Sequence, residues 1–351
     1  TPLAIAISLI LNLPAQAENL HEVYKTAVNN DPTYLAAYAD YQAIVESKQQ
    51  SVAPLLPNLN LSADYNDISL DSSAFGDRDY TEYSYSLNLS QAIFRYNYWV
   101  QLRQANIQVA QAEANFSNAR QALILRVAER YFEVLAAGDN LTFAKSEKKA
   151  IGEQLHQTKQ RFEVGLSAIT DVHEAQARYD QAVAQNIEAE NLLANTKENL
   201  REVTGQYSEH LSILQAKSPL VAPKPANIDA WLDIAKERSL SLIAAEKQMQ
   251  IAQEDVSRNR AGHYPTLDLV AAYSYTDTDG GLFSAVTGQE TDDARVGLQF
   301  NLPIYEGGRV SSQTRESAHR YQQSRDLYEQ QRRATERETR SSYLNVLANI
   351  S

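Results

Sequence analysis

Residue types capable of chemistry are present in this chain, but their spacing does not assemble them. The six histidines (His21, His156, His173, His210, His263 and His319) make no HExxH or HxxxH pair. His156 and His173 flank one candidate turn, 17 residues apart, a spacing that suits surface residues better than metal ligands. With no cysteine, disulfides, thiolate zinc sites and thiol nucleophiles are excluded. GxGxxG, GxxxxGK[ST] and GxSxG are all missing. The net charge of −12 argues against a nucleic-acid partner, whose phosphates recruit Lys and Arg. The sequence therefore asks for no enzyme, no cofactor and no metal, and what remains is what its elements build.

Only 12 Gly and 10 Pro punctuate 351 residues, so turns are few and elements long. From about Trp99 to Arg161 there is no Pro, and the only glycines are Gly138 and Gly152. A helix over that stretch would extend about 95 Å at 1.5 Å per residue. Leu102, Val109, Phe116 and Leu123 recur every seven residues, with Ala105, Ala112 and Ala119 between them. Val172, Tyr179, Asn186, Leu193 and Leu200 do the same, alternating with Ala175, Ala182, Ala189, Thr196 and Val203. Such seams pair helices into coiled coils. Between the two helices Val164, Gly165, Leu166 and Ser167 form a hairpin tip. Gly165 suits the left-handed position after a helix, Ser167 is a candidate cap, and Asp171 lies in the next helix's first turn.

At the N-terminus the apolar run Leu3 to Leu13, then Pro14 and Ala15-Gln16-Ala17, reads as a secretory leader over 1–17 lacking its basic start. The chain is then internally duplicated. Pro57-x-Leu59-x-Leu61-x-Ala63-x-Tyr65 returns 208 residues later as Pro265-x-Leu267-x-Leu269-x-Ala271-x-Tyr273. Further anchors repeat in the same order, the last being Tyr131-x-x-Val134-Leu135-Ala136 and Tyr343-x-x-Val346-Leu347-Ala348. The first repeat is expected over 18–212, with strands at about 58–66 and 82–92 and helices at about 97–163 and 168–204. A Pro-rich linker fills 213–227. The second repeat, 228–351, has strands at about 266–275 and 294–303. It lacks a counterpart of about 75 residues of the first, so the sequence reads as C-terminally truncated. Single helical stretches, Leu20 to about Ala53 and about Asn227 to Arg260, lead into the strands.

The strands alternate with period two. Leu59, Leu61, Tyr83, Tyr85, Leu87, Leu89, Leu267, Leu269, Leu298 and Phe300 fall on apolar faces, with Asn, Ser, Asp and Gln opposite. Long acidic loops are expected at about Asn66 to Arg78 and Thr276 to Asp293, with Tyr65, Tyr80, Tyr83, Tyr273 and Tyr275 near them. Two readings are open: a soluble sheet packed on a helix, or membrane strands with lipid outside and a polar interior. Four strands cannot close a barrel, so the second demands an oligomer.

Leu56-Pro57-x-Leu59, Gln160-Arg161-Phe162-x-Val164-Gly165-Leu166-x-Ala168-Ile169-Thr170-Asp171-Val172, Pro265-Thr-Leu267-Asp-Leu269 and Leu302-Pro303-Ile304-Tyr305-x-Gly307-Gly308 resemble the TolC family of outer-membrane efflux proteins. The resemblance covers Glu18 to Ser351. It implies a mainly α fold with membrane β-strands: a homotrimer in which four strands per chain make a 12-stranded barrel, above a long α-helical coiled-coil tunnel through the periplasm. It implies an exit duct of a tripartite efflux or type I secretion system, passing drugs or proteins from an inner-membrane transporter and a periplasmic adaptor through the cell outer membrane of a Gram-negative bacterium. The family's entrance gate maps onto Gln154, Thr170 and Asp171, and its adaptor contact onto Val164, Gly165, Leu166 and Ser167. The alternatives are a stand-alone diffusion porin, which needs no long helices, and a soluble periplasmic coiled-coil adaptor, which needs no Tyr-banded strands.

Overall fold

The computed structural model describes residues 17–71, 78–208, 210–214, 221–279 and 289–350. All of the expected leader except Ala17 lies outside this set, as does part of the expected linker. Seven α-helices and four strands occur among the described residues: α1 (Leu20–Asn30), α2 (Pro32–Val52), β1 (Asn58–Leu70), β2 (Arg78–Phe94), α3 (Tyr96–Glu163), α4 (Ile169–Thr204), α5 (Ile228–Arg238), α6 (Leu240–Arg260), β3 (Thr266–Asp279), β4 (Gln289–Asn301) and α7 (Arg309–Ile350). They divide into two compact units, 1–39 with 117–221, and 40–116 with 222–351.

In the first unit Asn19 starts α1 with a capping box, its side chain accepting from the amides of His21 and Glu22 while the Glu22 carboxylate accepts from the Asn19 N–H. Val23 and Ala27 of α1 then bury against Leu123, Val127, Tyr131 and Val134 of α3 and Leu200 and Val203 of α4. The buried residues of α4 include Ala182, Ala189, Thr196 and Val203, one per heptad, and Asn186 and Leu200 on the companion seam. Small side chains at these positions let the helices approach closely. Asn186 donates its amide to Glu190 at 3.0 Å, and its buried carbonyl oxygen has no partner among the described residues. Tyr131 ties the ends of the unit together by donating to the Ser212 carbonyl at 2.6 Å, beside a parallel bridge between Glu18 and Leu211.

The second unit carries one antiparallel sheet in the order β1-β2-β3-β4, so β1 and β4 are its edges. The central β2–β3 pairing joins the two sequence repeats. In the same unit α5 and α6 both pack against α7. Gln104, buried on α3, donates to Asp255 at 2.8 Å and accepts from Arg258 at 3.2 Å.

Two expectations need correction. The helical stretches before the strands are each broken in two, at Asp31 and at Ser239, positions 208 residues apart. Both break residues are extended, with ψ of 114° and 115°. Each supplies a side-chain oxygen to the next helix: Asp31 accepts from the Tyr34 amide at 2.6 Å, and Ser239 from the Leu242 amide at 3.4 Å. Asp31 is 2% exposed, and both of its carboxylate oxygens also accept from Nη2 of Arg126, at 2.9 and 2.8 Å. The second correction concerns the strands, which run well into the segments expected as loops. Beyond Tyr275 both faces are polar, and beyond Tyr65 the apolar residue Ile68 falls on the opposite face from Leu59 and Leu61, so the period-two pattern is lost while pairing continues, as in Asn66 with Glu82 and Thr276 with Thr291.

Removing one partner of a buried ion pair leaves an uncompensated charge. Asp31→Ala should therefore lower the unfolding free energy by about 3 kcal/mol. Ser239→Ala removes only a neutral cap and should cost about 1 kcal/mol. Urea unfolding followed by the helical signal checks the difference between the two.

Candidate functional site

Register in the second unit gathers the apolar strand residues onto one face. β1 and β2 set Leu59 opposite Leu89, Leu61 opposite Leu87 and Tyr65 opposite Tyr83. β2 and β3 set Leu87 opposite Tyr273 and Tyr85 opposite Tyr275. β3 and β4 set Leu267 opposite Phe300, Leu269 opposite Leu298 and Ala271 opposite Val296. Directly opposed residues share a face, so this is one continuous apolar surface four strands wide. It is uncovered: Leu61 is 74% exposed, Leu298 66% and Phe300 63%. Leu89, Leu267 and Leu269, on the inner strands, are half-buried by their neighbours. The tyrosines gather towards the loop ends, where the Tyr65 and Tyr83 rings lie 5.0 Å apart. On the other face are Asn58, Asn60, Ser62 and Asp64, set against Ser90, Asn88, Ser86 and Ser84. Ser62 and Ser86 hydrogen-bond across it at 2.7 Å.

An exposed apolar face of this extent marks a surface meant for lipid or a partner. The strands are 13 to 17 residues long, which exceeds the 9–11 needed to cross a bilayer. Edge strands β1 and β4 present unpaired backbone groups among the described residues. Such edges are not tolerated in lipid, so they must be completed by other strands.

At the tip in the first unit, Gly165 adopts φ 78°. The Leu166 amide donates back to the Arg161 carbonyl at 2.8 Å, and the Gly165 amide to the Phe162 carbonyl at 2.9 Å. This is a Schellman closure, and only a residue without Cβ enters it freely. Phe162, Val164, Leu166 and Ile169 are left exposed around it, Val164 and Leu166 at 69% and 70%. A tight, apolar, protruding tip is suited to contact another protein.

The cap of α4 is a further correction. Ala168, not Ser167, occupies the N-cap position, since the helix starts at Ile169. The Ser167 hydroxyl instead donates to Asp171 Oδ2 at 2.8 Å, and the Ala168 amide donates to the same oxygen at 3.1 Å. The structure thus brings Ser167, Thr170 and Asp171 together at the helix start. Gln154 lies apart, exposed on α3 about two and a half turns before its end. Its side chain makes no hydrogen bond among the described residues. The hydroxyl of Ser167, then the Ala168 amide, hold the Asp171 carboxyl below its ordinary value. Lys159 bridges to Gln176 at 3.1 Å, linking α3 and α4 just above the tip.

The family described as outer membrane efflux protein matches residues 23–206 and 231–351. The chain belongs to this outer membrane efflux family. Among relatives of the efflux protein is the outer membrane protein TolC of Vibrio cholerae, 38% identical over 350 residues, covering 99% of this chain and 79% of that one. The alkaline protease secretion protein AprF of Pseudomonas aeruginosa is 29% identical over 347 residues, 96% of this chain and 72% of that one. In fold the efflux protein is similar to the CmeC outer membrane channel of Campylobacter jejuni, with TM-score 0.74 at 17% identity over 94% of this chain and 73% of that one. As a member of the family it is a protein of the Gram-negative outer membrane.

Because the Asp171 carboxyl is depressed, its contribution to the tip is present above the ordinary carboxylate range and lost as pH falls through the depressed value. Ser167→Ala removes the largest cause and should raise the pH at which the tip loosens. Hydrogen exchange of the peptide spanning residues 162–171, compared between wild type and variant at each pH, checks the direction.

Proposed function

We propose that this efflux protein is one subunit of a trimeric exit duct, which passively conducts drugs or proteins delivered by an inner-membrane transporter through a periplasmic adaptor. The observation that carries the reading is the four-stranded sheet with one uncovered apolar face and two open edges. The smallest closed membrane barrels have about eight strands, and three copies of four give 12. In this reading the Leu and Phe face meets outer-membrane lipid and the Asn, Ser and Asp face lines water.

The helices favour a duct over a simple diffusion porin. α3 has 68 residues and extends about 100 Å by itself, far more than a bilayer requires. A soluble adaptor would not expose Leu61, Leu298 and Phe300 to water. The exposed tip around Val164, Gly165, Leu166 and Ser167 is proposed as the adaptor contact, and Thr170 and Asp171, with Gln154 above them, as the first repeat's part of the entrance gate. The similarity to a protease secretion protein brings protein cargo, as well as small molecules, within range of the reading.

Two experiments test this. A lysine placed on the lipid face costs about 2–4 kcal/mol at mid-membrane. Leu87→Lys or Leu298→Lys should therefore abolish trimers in outer-membrane extracts, and normal trimer yield from either would sink the lipid-face assignment. Asp171→Ala should increase single-channel conductance and antibiotic entry if the carboxylate helps hold the entrance closed. Unchanged conductance with a loosened tip would leave Asp171 as a helix-start residue only.

A further inference from the structure

Arg95 and Asp268 form an ion pair that the repeat pattern does not foretell. β2 and β3 pair Ala92 with Asp268 and then Phe94 with Leu267, so Ile93 is an extra residue. A bulge reverses the alternation that follows it. Phe94 is thereby returned to the apolar face with Leu267, and Arg95, the next residue, comes round to the polar face where Asp268 lies. There Nε and Nη2 of Arg95 donate to the two carboxylate oxygens of Asp268, each at 2.7 Å. The carboxylate is sunk, with 11% of its side chain exposed, while the guanidinium keeps 36%. Nη1 reaches the Tyr98 hydroxyl at 3.3 Å. A bidentate fork uses two of the five N–H groups, so donors remain for the open side. That side is a cavity of about 390 Å3 lined also by Asn58, Ser90 and Gln299. All three stand on the polar face, opposite to Leu59, Leu89 and Leu298, at the strand ends next to the helices.

Resting on the duct reading, in which this face lines water, we propose that Arg95 and Asp268 suppress charge selectivity at the inner mouth of the barrel: the guanidinium cancels a carboxylate that would otherwise draw cations there, and three such pairs form an electrically neutral collar. An arginine suits the task because its charge is not lost at any working pH. A charged ring on a confined wall sorts ions by sign, and does so most strongly at low ionic strength.

The test is the reversal potential of single channels from the purified full chain in planar bilayers, under a dilute potassium chloride gradient at pH 8. Asp268→Asn keeps the shape of the side chain and leaves the guanidinium uncompensated. It should lower the potassium-to-chloride permeability ratio by about two-fold or more, the direction a focused positive field imposes. Arg95→Gln should move the ratio the other way, and Arg95→Lys, which keeps the charge but not the fork, should stay near wild type. A merely structural pair would alter assembly without this opposed shift. Channels of ordinary conductance whose ratio is the same in wild type and Asp268→Asn would overturn the proposal. If Arg95→Gln yields no trimer, the Asp268→Asn arm decides alone. A wild-type chain that forms no channel would instead overturn the duct reading on which the proposal stands.

Discussion

A backbone amide or carbonyl without a partner is costly in hydrocarbon, several kcal/mol for each group. In this chain that cost falls on the free edges of β1 and β4, and it organises the rest. A sheet that exposes Leu61 and Leu298 belongs in lipid, yet cannot enter it alone. Association with further copies satisfies the edges, and insertion of the closed barrel into lipid removes the apolar face from water. The polar face then encloses water, and the helices hanging from the strands inherit the symmetry of the closed barrel. The duct reading is in this sense a consequence of hydrogen-bond accounting in the sheet.

The helices answer a different demand. Their seams are built from alanine, threonine and asparagine as much as from leucine: Ala182, Ala189, Thr196 and Asn186 are all buried. Such seams give close, straight contacts with modest apolar burial, and Asn186 even hides an acceptor that nothing satisfies among the described residues. A thick hydrophobic core would fill the space that a conduit must keep open. Stability is drawn instead from length, from caps such as Asn19 with Glu22, and from a few sunk polar links such as Asp31 with Arg126 and Gln104 with Asp255.

Much of this was legible in the residues. The duplication, the apolar faces and the tip glycine follow from period and from glycine's freedom at φ 78°. Strand ends are not legible in the same way, because alternation reports burial, not pairing. From Asn66 outward Ile68 falls out of phase, and from Thr276 outward both faces are polar, so the ladder continues without the signal. The breaks at Asp31 and Ser239 are not legible from period, because local helix propensity persists on both sides of one extended residue. Ser167 was assigned a cap that its hydroxyl does not make, because a one-residue shift in where α4 begins cannot be read from composition. The Arg95–Asp268 pair joins residues 173 positions apart, and the bulge at Ile93 hides even which face Arg95 occupies. The gate and adaptor positions, by contrast, come from the family resemblance of the tip motif rather than from period or spacing.

The two helix joints, alike in position and angle, are held by unlike chemistry. At Ser239 a lone hydroxyl suffices, so threonine, asparagine or aspartate would serve there, and the position is free to drift one substitution at a time. At Asp31 the cap is also half of a buried pair, so neither it nor Arg126 can change without stranding the other. The two repeats are thus unequal in what they permit: one joint can be revised by single steps, while the other must move as a couple or stay as it is.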